Sequence, residues 1–423
     1  MSQAPGPTSP SPTPSRANTP WVMLLALLSG FALSQAYRTI TAIMAQGLQA
    51  DFGLQAQSLG TFAGLFGLSF GVAQLLMGIA LDRYGLRRTV LSVAPLSIAG
   101  AALSALAPRH GWLMAGQLLI GVGCSPAFVA CMLFIARYFA PERFTFFSGL
   151  SLGMGSLGLL FTGTPLAWVV QHWGWRTGFG VLTVLSALSW LLIFALVREP
   201  TLPDTPLRPT ESWGQALVGF AELLTLPHTW GILVLGMSCY AAFLSLRGLW
   251  LGPLLIDRYG FSLVDIGNVA LALSLIALFT PVAFGRMDPG TNRRRAWIGN
   301  ASLLMAALFA VMAFLHQAGA TVALMILMGL LSGYSVLQYS DVRSSYPPEL
   351  AGRSLSLFTM AMFLGVALMQ SLTGAVAAWS TSLGGEPYQA VLLTIAAWLA
   401  LASLAFRYLP ASSLLVQQPG SRG

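Results

Sequence analysis

Arg38 and Arg247 each interrupt a long apolar run, and each stands 17 positions after a tryptophan, Trp21 and Trp230. The two arginines are 209 residues apart, about half the chain. A guanidinium at membrane depth costs roughly 2.5–3.5 kcal/mol on insertion scales, so it usually faces a cavity or a partner. The chemistry on offer is anion recognition, because paired N–H donors match the planar oxygens of a carboxylate or phosphate. Snorkelling to an interface is the plainer alternative, but it does not call for matched positions. Ser34, Gln35 and Thr41 are near Arg38 in sequence, and Tyr240 and Phe243 lie two turns and one turn before Arg247. Gln74, Gln117, Tyr334, Gln338 and Gln370 are further polar groups inside apolar runs. Each of these alone is more often an interhelical hydrogen bond than a ligand contact, with Gln117 evenly balanced between helix packing and a hydrogen-bonding role.

The elements that position these residues are membrane helices. The chain of 423 residues is 56% hydrophobic and 8% charged, against about 25% charged in soluble proteins. Runs of about 20 apolar residues fall near 21–46, 57–81, 89–107, 112–137, 144–170 and 177–197. A second set falls near 229–256, 263–285, 296–316, 320–340, 353–379 and 387–409. The expected fold is all-α, with about twelve transmembrane helices in two pseudo-symmetric six-helix bundles, 21–197 and 229–409. A central loop, 198–228, carries an amphipathic piece from Trp213 to Leu226 suited to the membrane surface. The tails, 1–20 and 410–423, read as disordered, and the first lacks the order of elements of a signal peptide.

Charge and residue usage exclude several functions. All 21 basic residues are arginine, which removes Schiff-base chemistry. They gather in alternate short loops, as membrane insertion demands, so the net charge of +8 points to topology and not to nucleic acid. Arg83, Arg87, Arg88, Arg137, Arg143, Arg286, Arg293, Arg294, Arg295, Arg343 and Arg353 place their loops and both termini in the cytoplasm of an inner-membrane protein. Cys124, Cys131 and Cys239 lie within apolar helices and form no disulfide framework. No nucleophile–base pair, metal-ligand cluster or phosphate-binding glycine loop is present, so no enzyme, metal, cofactor or ATP drive is expected. Asp51, Asp257, Asp265, Asp341 and Glu386 all fall at helix ends or in loops. A proton carrier usually keeps an acid at depth, and its absence favours anion exchange, facilitated flux, or symport in which the substrate itself carries the proton.

The loop after the second span reads Gly78-Ile79-Ala80-Leu81-Asp82-Arg83-Tyr84-Gly85-Leu86-Arg87-Arg88. It resembles, at every defined position, the Gly-x-x-x-Asp-Arg-x-Gly-x-Arg-Arg signature of the major facilitator superfamily of secondary transporters. Here Gly78 would permit close helix contact, and Asp82 would accept hydrogen bonds from a neighbouring helix N-terminus or pair with arginine across the halves. The resemblance implies a loop that stabilises one conformation and does not touch substrate. Its second-half counterpart, Gly285-Arg286-Met287-Asp288, is degenerate. Gln117 opens a segment similar to the superfamily's fourth-helix motif but replaces its arginine. Pro141-Glu142 is echoed by Pro348-Glu349. Paired arginines on the first and seventh helices also resemble the superfamily's organophosphate and organic-anion carriers.

These features lead to a monomeric transporter that moves a small organic anion by alternating access, with or without a coupling ion. Arg38 and Arg247 would grip the anion together, with Gln35, Tyr240, Gln117, Tyr334, Gln338 and Gln370 lining the site. An exporter of amphipathic compounds with structural arginines, and a ligand-sensing receptor of the same fold, are the alternatives.

Overall fold

The computed structural model describes residues 20–139, 144–198, 213–347 and 350–412. Both expected tails, the centre of the long loop, and the Pro141-Glu142 and Pro348-Glu349 pairs therefore lie largely outside the described residues. The first half contains α1 (Pro20–Tyr37), α2 (Thr41–Phe52), α3 (Ala56–Tyr84), α4 (Leu86–Val93), α5 (Pro95–Ala105), α6 (His110–Cys124), α7 (Ala127–Tyr138), α8 (Phe144–Phe161) and α9 (Thr164–Leu196). A surface helix α10 (Trp213–Thr225) leads to α11 (Pro227–Ser245), a π-helical turn (Leu246–Trp250), α12 (Leu251–Tyr259), α13 (Leu263–Arg286) and α14 (Thr291–Phe314). Then come α15 (Ala318–Ser332), a 3₁₀ turn (Gly333–Ser335), α16 (Val336–Ser345), α17 (Ala351–Ser382) and α18 (Pro387–Tyr408).

Among the described residues, eleven helical stretches are long and apolar enough to cross a membrane, and one of them, Gly153–Leu196, has 44 residues. At 1.5 Å per residue that is about 66 Å, twice the hydrocarbon thickness. It turns back at Gly174, where φ is 80° and ψ 167°, so it crosses twice and brings the number to twelve. Leu188, Leu191, Val311, Phe314 and Leu401 are among the large side chains left exposed, as expected of a surface solvated by lipid.

The duplication is written into the backbone. Among the described residues, six glycines adopt positive φ, in three repeat-related pairs: Gly53 with Gly260, Gly85 with Gly290, and Gly174 with Gly384. The same loops are therefore turned by the same device in each half, since only glycine enters that region without a Cβ clash. The first span is broken at Arg38, between α1 and α2, and the seventh carries its π turn over Arg247. The fourth span breaks at Ser125-Pro126 and the tenth at its 3₁₀ turn. Staples beside the first turns are also repeated, with the charges exchanged. Asp51 pairs with Arg176 and accepts from Trp175 Nε1 at 3.0 Å, whereas Arg258 pairs with Glu386 at 2.5 Å. Hydrogen bonds from Arg176 and then Trp175 hold the Asp51 carboxyl below the usual carboxylate range.

The halves meet closely on the face carrying Gly53 and Gly260. A Cβ at Gly60 would lie 2.9 Å from Gly374 Cα, and one at Gly67 would lie 2.9 Å from the Phe363 carbonyl. The backbones of α3 and α17 touch there because side chains are missing. Gly252 likewise lets α12 rest on the Ala42 carbonyl of α2.

Candidate anion site at the broken helices

Thr39 explains why the first span breaks at Arg38. Its hydroxyl donates back to the Ala36 carbonyl at 3.3 Å and bridges to Thr162 at 2.7 Å, competing with the helical ladder. The break turns the Arg38 side chain between the halves. Its guanidinium lies over the rings of Phe70 and Phe363, 4.9 and 4.7 Å from their centroids. Phe70 belongs to α3 and Phe363 to α17, and their rings are 4.2 Å apart. Nη1 donates to Tyr240 Oη at 3.2 Å and Nη2 to Ser34 Oγ at a weak 3.4 Å. Nε is buried with no hydrogen-bond partner. The two rings are too close to each other to sandwich the plane and lie on one side of it, and the Nε edge is the vacant donor edge.

Arg247 is 2% exposed. From the π turn, a distortion that recurs at functional sites, its Nη2 donates to the Leu159 carbonyl and to Ser274 Oγ, both at 3.3 Å. Ser274 Oγ also donates to the Leu159 carbonyl, at 3.2 Å. Nε and Nη1 are buried and unpartnered. Among the described residues, neither arginine has a carboxylate within salt-bridge distance.

The arginines hold matched places, and Gly248 beside Arg247 would bring a Cβ within 2.8 Å of the Arg38 carbonyl. Their side chains nevertheless diverge. Arg38 reaches α3, α11 and α17, whereas Arg247 reaches α8 and α13. The pseudo-two-fold that relates the halves exchanges these two seams. Each arginine donates across to the other half, and Thr164 Oγ1 adds a third bridge to Asn268 Oδ1 at 2.7 Å.

The polar candidates separate in the same way. Tyr240 is at Arg38. Gln35 and Gln370 each carry a buried Oε1, and Gln117 a buried Nε2, that has no partner. Tyr334 and Gln338 do not belong with them. Tyr334 accepts from Ser302 at 3.0 Å, and Ser302 meets Cys239 at 3.3 Å, all within the second half. Gln338 lines a cleft there with Ile232, Leu235, Ile298, Asp341, Phe358 and Phe406. Two residues read differently from the sequence. Tyr339 on α16 keeps 37% exposure and has Tyr240 and Arg38 as electrostatic neighbours, although the sequence drew notice to Tyr334, Gln338 and Asp341 around it and not to Tyr339 itself. Asp341, expected at a helix end, is 3% exposed, because Phe358 and Phe406 cover it.

In the signature loop, Gly78 meets nothing that a Cβ would touch, so the close contact expected there is not made in this conformation. The Asp82 side chain lies outside the described residues. Gly85, at φ 83°, starts α4. Arg87 Nε donates to the Val197 carbonyl at 2.7 Å and Nη2 to Phe194 at 3.0 Å, capping the carboxyl end of α9. Arg83 and Arg88 are exposed. The degenerate copy does similar work: Asp288 binds Arg294 Nη2 at 2.7 Å, and Arg294 reaches Ser344 Oγ on α16 at 3.2 Å. Arg294 holds the Asp288 carboxyl below its usual range.

The family model for the Major Facilitator Superfamily matches residues 26–370. The chain belongs to that superfamily. It is a multi-pass membrane protein. It is 27% identical over 286 residues to the mouse "Solute carrier family 2, facilitated glucose transporter member 10", covering 61% of this chain and 53% of that one. It is 22% identical over 387 residues to the "Probable galactarate/D-glucarate transporter" of Bacillus subtilis, covering 83% and 84%. The chain thus spans about half the length of the mouse relative but most of the bacterial one. A bacterial homologue of the human lysosomal transporter Spinster, solved inward-facing and unoccupied, superposes with TM-score 0.77 over 97% of this chain and 100% of that one, at 17% identity. That likeness is one of fold.

Proposed function

We propose that this transporter moves a small organic anion, a carboxylate or phosphate ester, across the inner membrane by alternating access, with Arg38 as the first anion ligand. One observation carries the reading: two arginines at the breaks of their spans keep buried N–H donors without partners, and among the described residues neither has a carboxylate within salt-bridge distance. A buried cation left this way is costly, and an anion that fills the vacant edge removes the cost. The similarity to a probable sugar-diacid transporter supports the same class.

The bridges suggest how binding drives the cycle. Arg38 to Tyr240, Arg247 to Leu159, and Thr164 to Asn268 clasp the halves on the Gly53 face. An anion on the vacant edge accepts from Nε and Nη2, displaces the weak bond to Ser34, neutralises the charge and draws the guanidinium off Tyr240 of the other half, which loosens the clasp. That is the differential interaction a ligand needs in order to shift a conformational equilibrium. The loops rich in arginine, the tails 1–20 and 410–423 and the linker 198–228 are cytoplasmic in this reading.

A thermal-shift panel of D-glucarate, D-glucuronate, glycerol 3-phosphate, neutral sugars and amphipathic cations on the purified protein tests it, since ligands stabilise by mass action. Stabilisation by an anion that is abolished in Arg38→Gln supports the reading. A response confined to cations would favour an exporter instead. Flux of the stabilising anion in proteoliposomes then separates a transporter from a receptor.

A further inference from the structure

On the outer surface of the second half, one helix face carries polar groups that the protein leaves unsatisfied. Arg293, Trp297, Asn300 and Leu304 of α14 follow one another three or four residues apart, and all are exposed, so they share a face. The helix packs against α15, α16 and α18 of its own half, which leaves that face to the lipid. The span it forms, Arg293–Phe314, has 22 residues, about 33 Å, and crosses the hydrocarbon once. Arg293 therefore stands at a membrane surface, with Trp297 one turn and Asn300 two turns deeper. An amide facing acyl chains is costly, because hydrocarbon offers it no hydrogen bond. Yet among the described residues the Asn300 side chain, the Trp297 ring nitrogen and the Arg293 guanidinium all lack a partner. Helix α18 lies antiparallel alongside. Ser403 Oγ donates to the Gly299 carbonyl at 2.9 Å, and Arg295 Nη2 to the Phe406 carbonyl at 3.2 Å. That register sets Arg407, also exposed and without a partner among the described residues, beside the start of α14. Asp288, the carboxylate that precedes α14, is already taken by Arg294 at 2.7 Å.

We infer that α14 and α18 together bind one anionic phospholipid, its phosphate between Arg293 and Arg407 and its ester carbonyls accepting from Trp297 Nε1 and Asn300 Nδ2. The order of groups down the face is the order of groups in such a lipid. Cations stand at the phosphate, N–H donors at the glycerol esters, and Leu304 at the acyl chains. Each Cα–Cβ bond tilts toward the helix N-terminus, which here is the membrane surface, so the Asn300 amide leans back to the ester level. Guanidinium groups match phosphate oxygens bidentately, and basic positions between spans at a bilayer surface are where charged headgroups are held. Trp297 and the exposed Tyr408 at the end of α18 are the side chains that favour this depth. A zwitterionic lipid brings an ammonium of its own against the two arginines, and a free phosphate ion has no ester for Asn300. The site is separate from Arg38 and holds its lipid with or without an anion there.

Native mass spectrometry of the purified full-length protein tests the site without a transport substrate. Dioleoylphosphatidylglycerol and dioleoylphosphatidylcholine, titrated together, are told apart by mass on the same protein. The wild type should take phosphatidylglycerol as its first bound lipid by about tenfold or more. Arg293→Gln should weaken that lipid about fivefold, and Arg293→Gln with Arg407→Gln about thirtyfold, erasing the preference. Asn300→Leu, an apolar change on a lipid-exposed face, should weaken both lipids about fivefold and leave the preference in place. Arg198→Gln with Arg343→Gln removes the same charge from two other exposed positions and should change neither affinity nor preference. Equal binding of the two lipids by the wild type overturns the site. So does a preference that survives Arg293→Gln with Arg407→Gln, or one lost equally in Arg198→Gln with Arg343→Gln, which would assign the effect to net charge. Unchanged binding in Asn300→Leu overturns the ester contact.

Discussion

Replacing Arg38 by glutamine isolates the anion site, and its effect can be worked from the contacts. A carboxylate in the vacant edge would accept from Nε, which has no partner, and from Nη2, now spent on a weak bond of 3.4 Å to Ser34. Two charge-assisted bonds at about 1.5–3 kcal/mol each give about 3–6 kcal/mol. Glutamine returns one neutral donor worth about 1 kcal/mol, leaving a loss of about 3 kcal/mol, or roughly 150-fold in Kd. Lysine keeps the charge without the fork and should lose about tenfold. Folding should hardly change: contacts to Phe70 and Phe363 worth about 0.5–1 kcal/mol each are lost, while the desolvation of the cation is relieved. Titration calorimetry with the anion that stabilises the wild type best, alongside thermal unfolding of each variant, reads both quantities. An Arg38→Gln protein that binds that anion within threefold of wild type refutes the reasoning. Because Arg247 points into the other seam, Arg247→Gln should change affinity far less than Arg38→Gln and shift the conformational equilibrium instead, contrary to the expectation that both grip one ligand.

Three further outcomes follow from the same geometry. Cysteines at Thr164 and Asn268, whose side chains are 2.7 Å apart, should cross-link on oxidation and halt flux until reduced; full flux after complete cross-linking would remove the Gly53 face from the cycle. The Asp288–Arg294 pair has a depressed carboxyl, so its stabilisation is complete above the unfolded value of about 4 and is lost as pH falls through the lower folded value. The melting-temperature gap between wild type and Asp288→Asn should therefore stay constant from pH 8 to about 5 and close only below about 4, and a gap that closes near neutrality contradicts it. Asp82→Asn should slow transport while leaving substrate affinity within about threefold, as a change in conformational equilibrium alone requires; normal turnover with lost binding would place Asp82 in the site instead.

Much of the architecture was legible in residue order. Apolar runs counted against the bilayer give twelve crossings, the spacing of Arg38 and Arg247 gives the duplication, and Gly78 to Arg88 carries the family signature. These are local or periodic properties, and a lipid solvent enforces them strictly, because every backbone group in a span must find its partner within the helix. Where each side chain points is another matter. Arg38 and Arg247 occupy the same place in their repeats, but the pseudo-two-fold turns one into the α3–α17 seam and the other into the α8–α13 seam. Tyr334 and Gln338 have the polar character of cavity residues, and tertiary packing sends them into the second half. Asp341 is four residues from the end of its helix and reads as solvated until α17 and α18 lay Phe358 and Phe406 over it. Rotation about a helix axis and burial by distant elements depend on contacts among six or more segments, and no single stretch of sequence contains them.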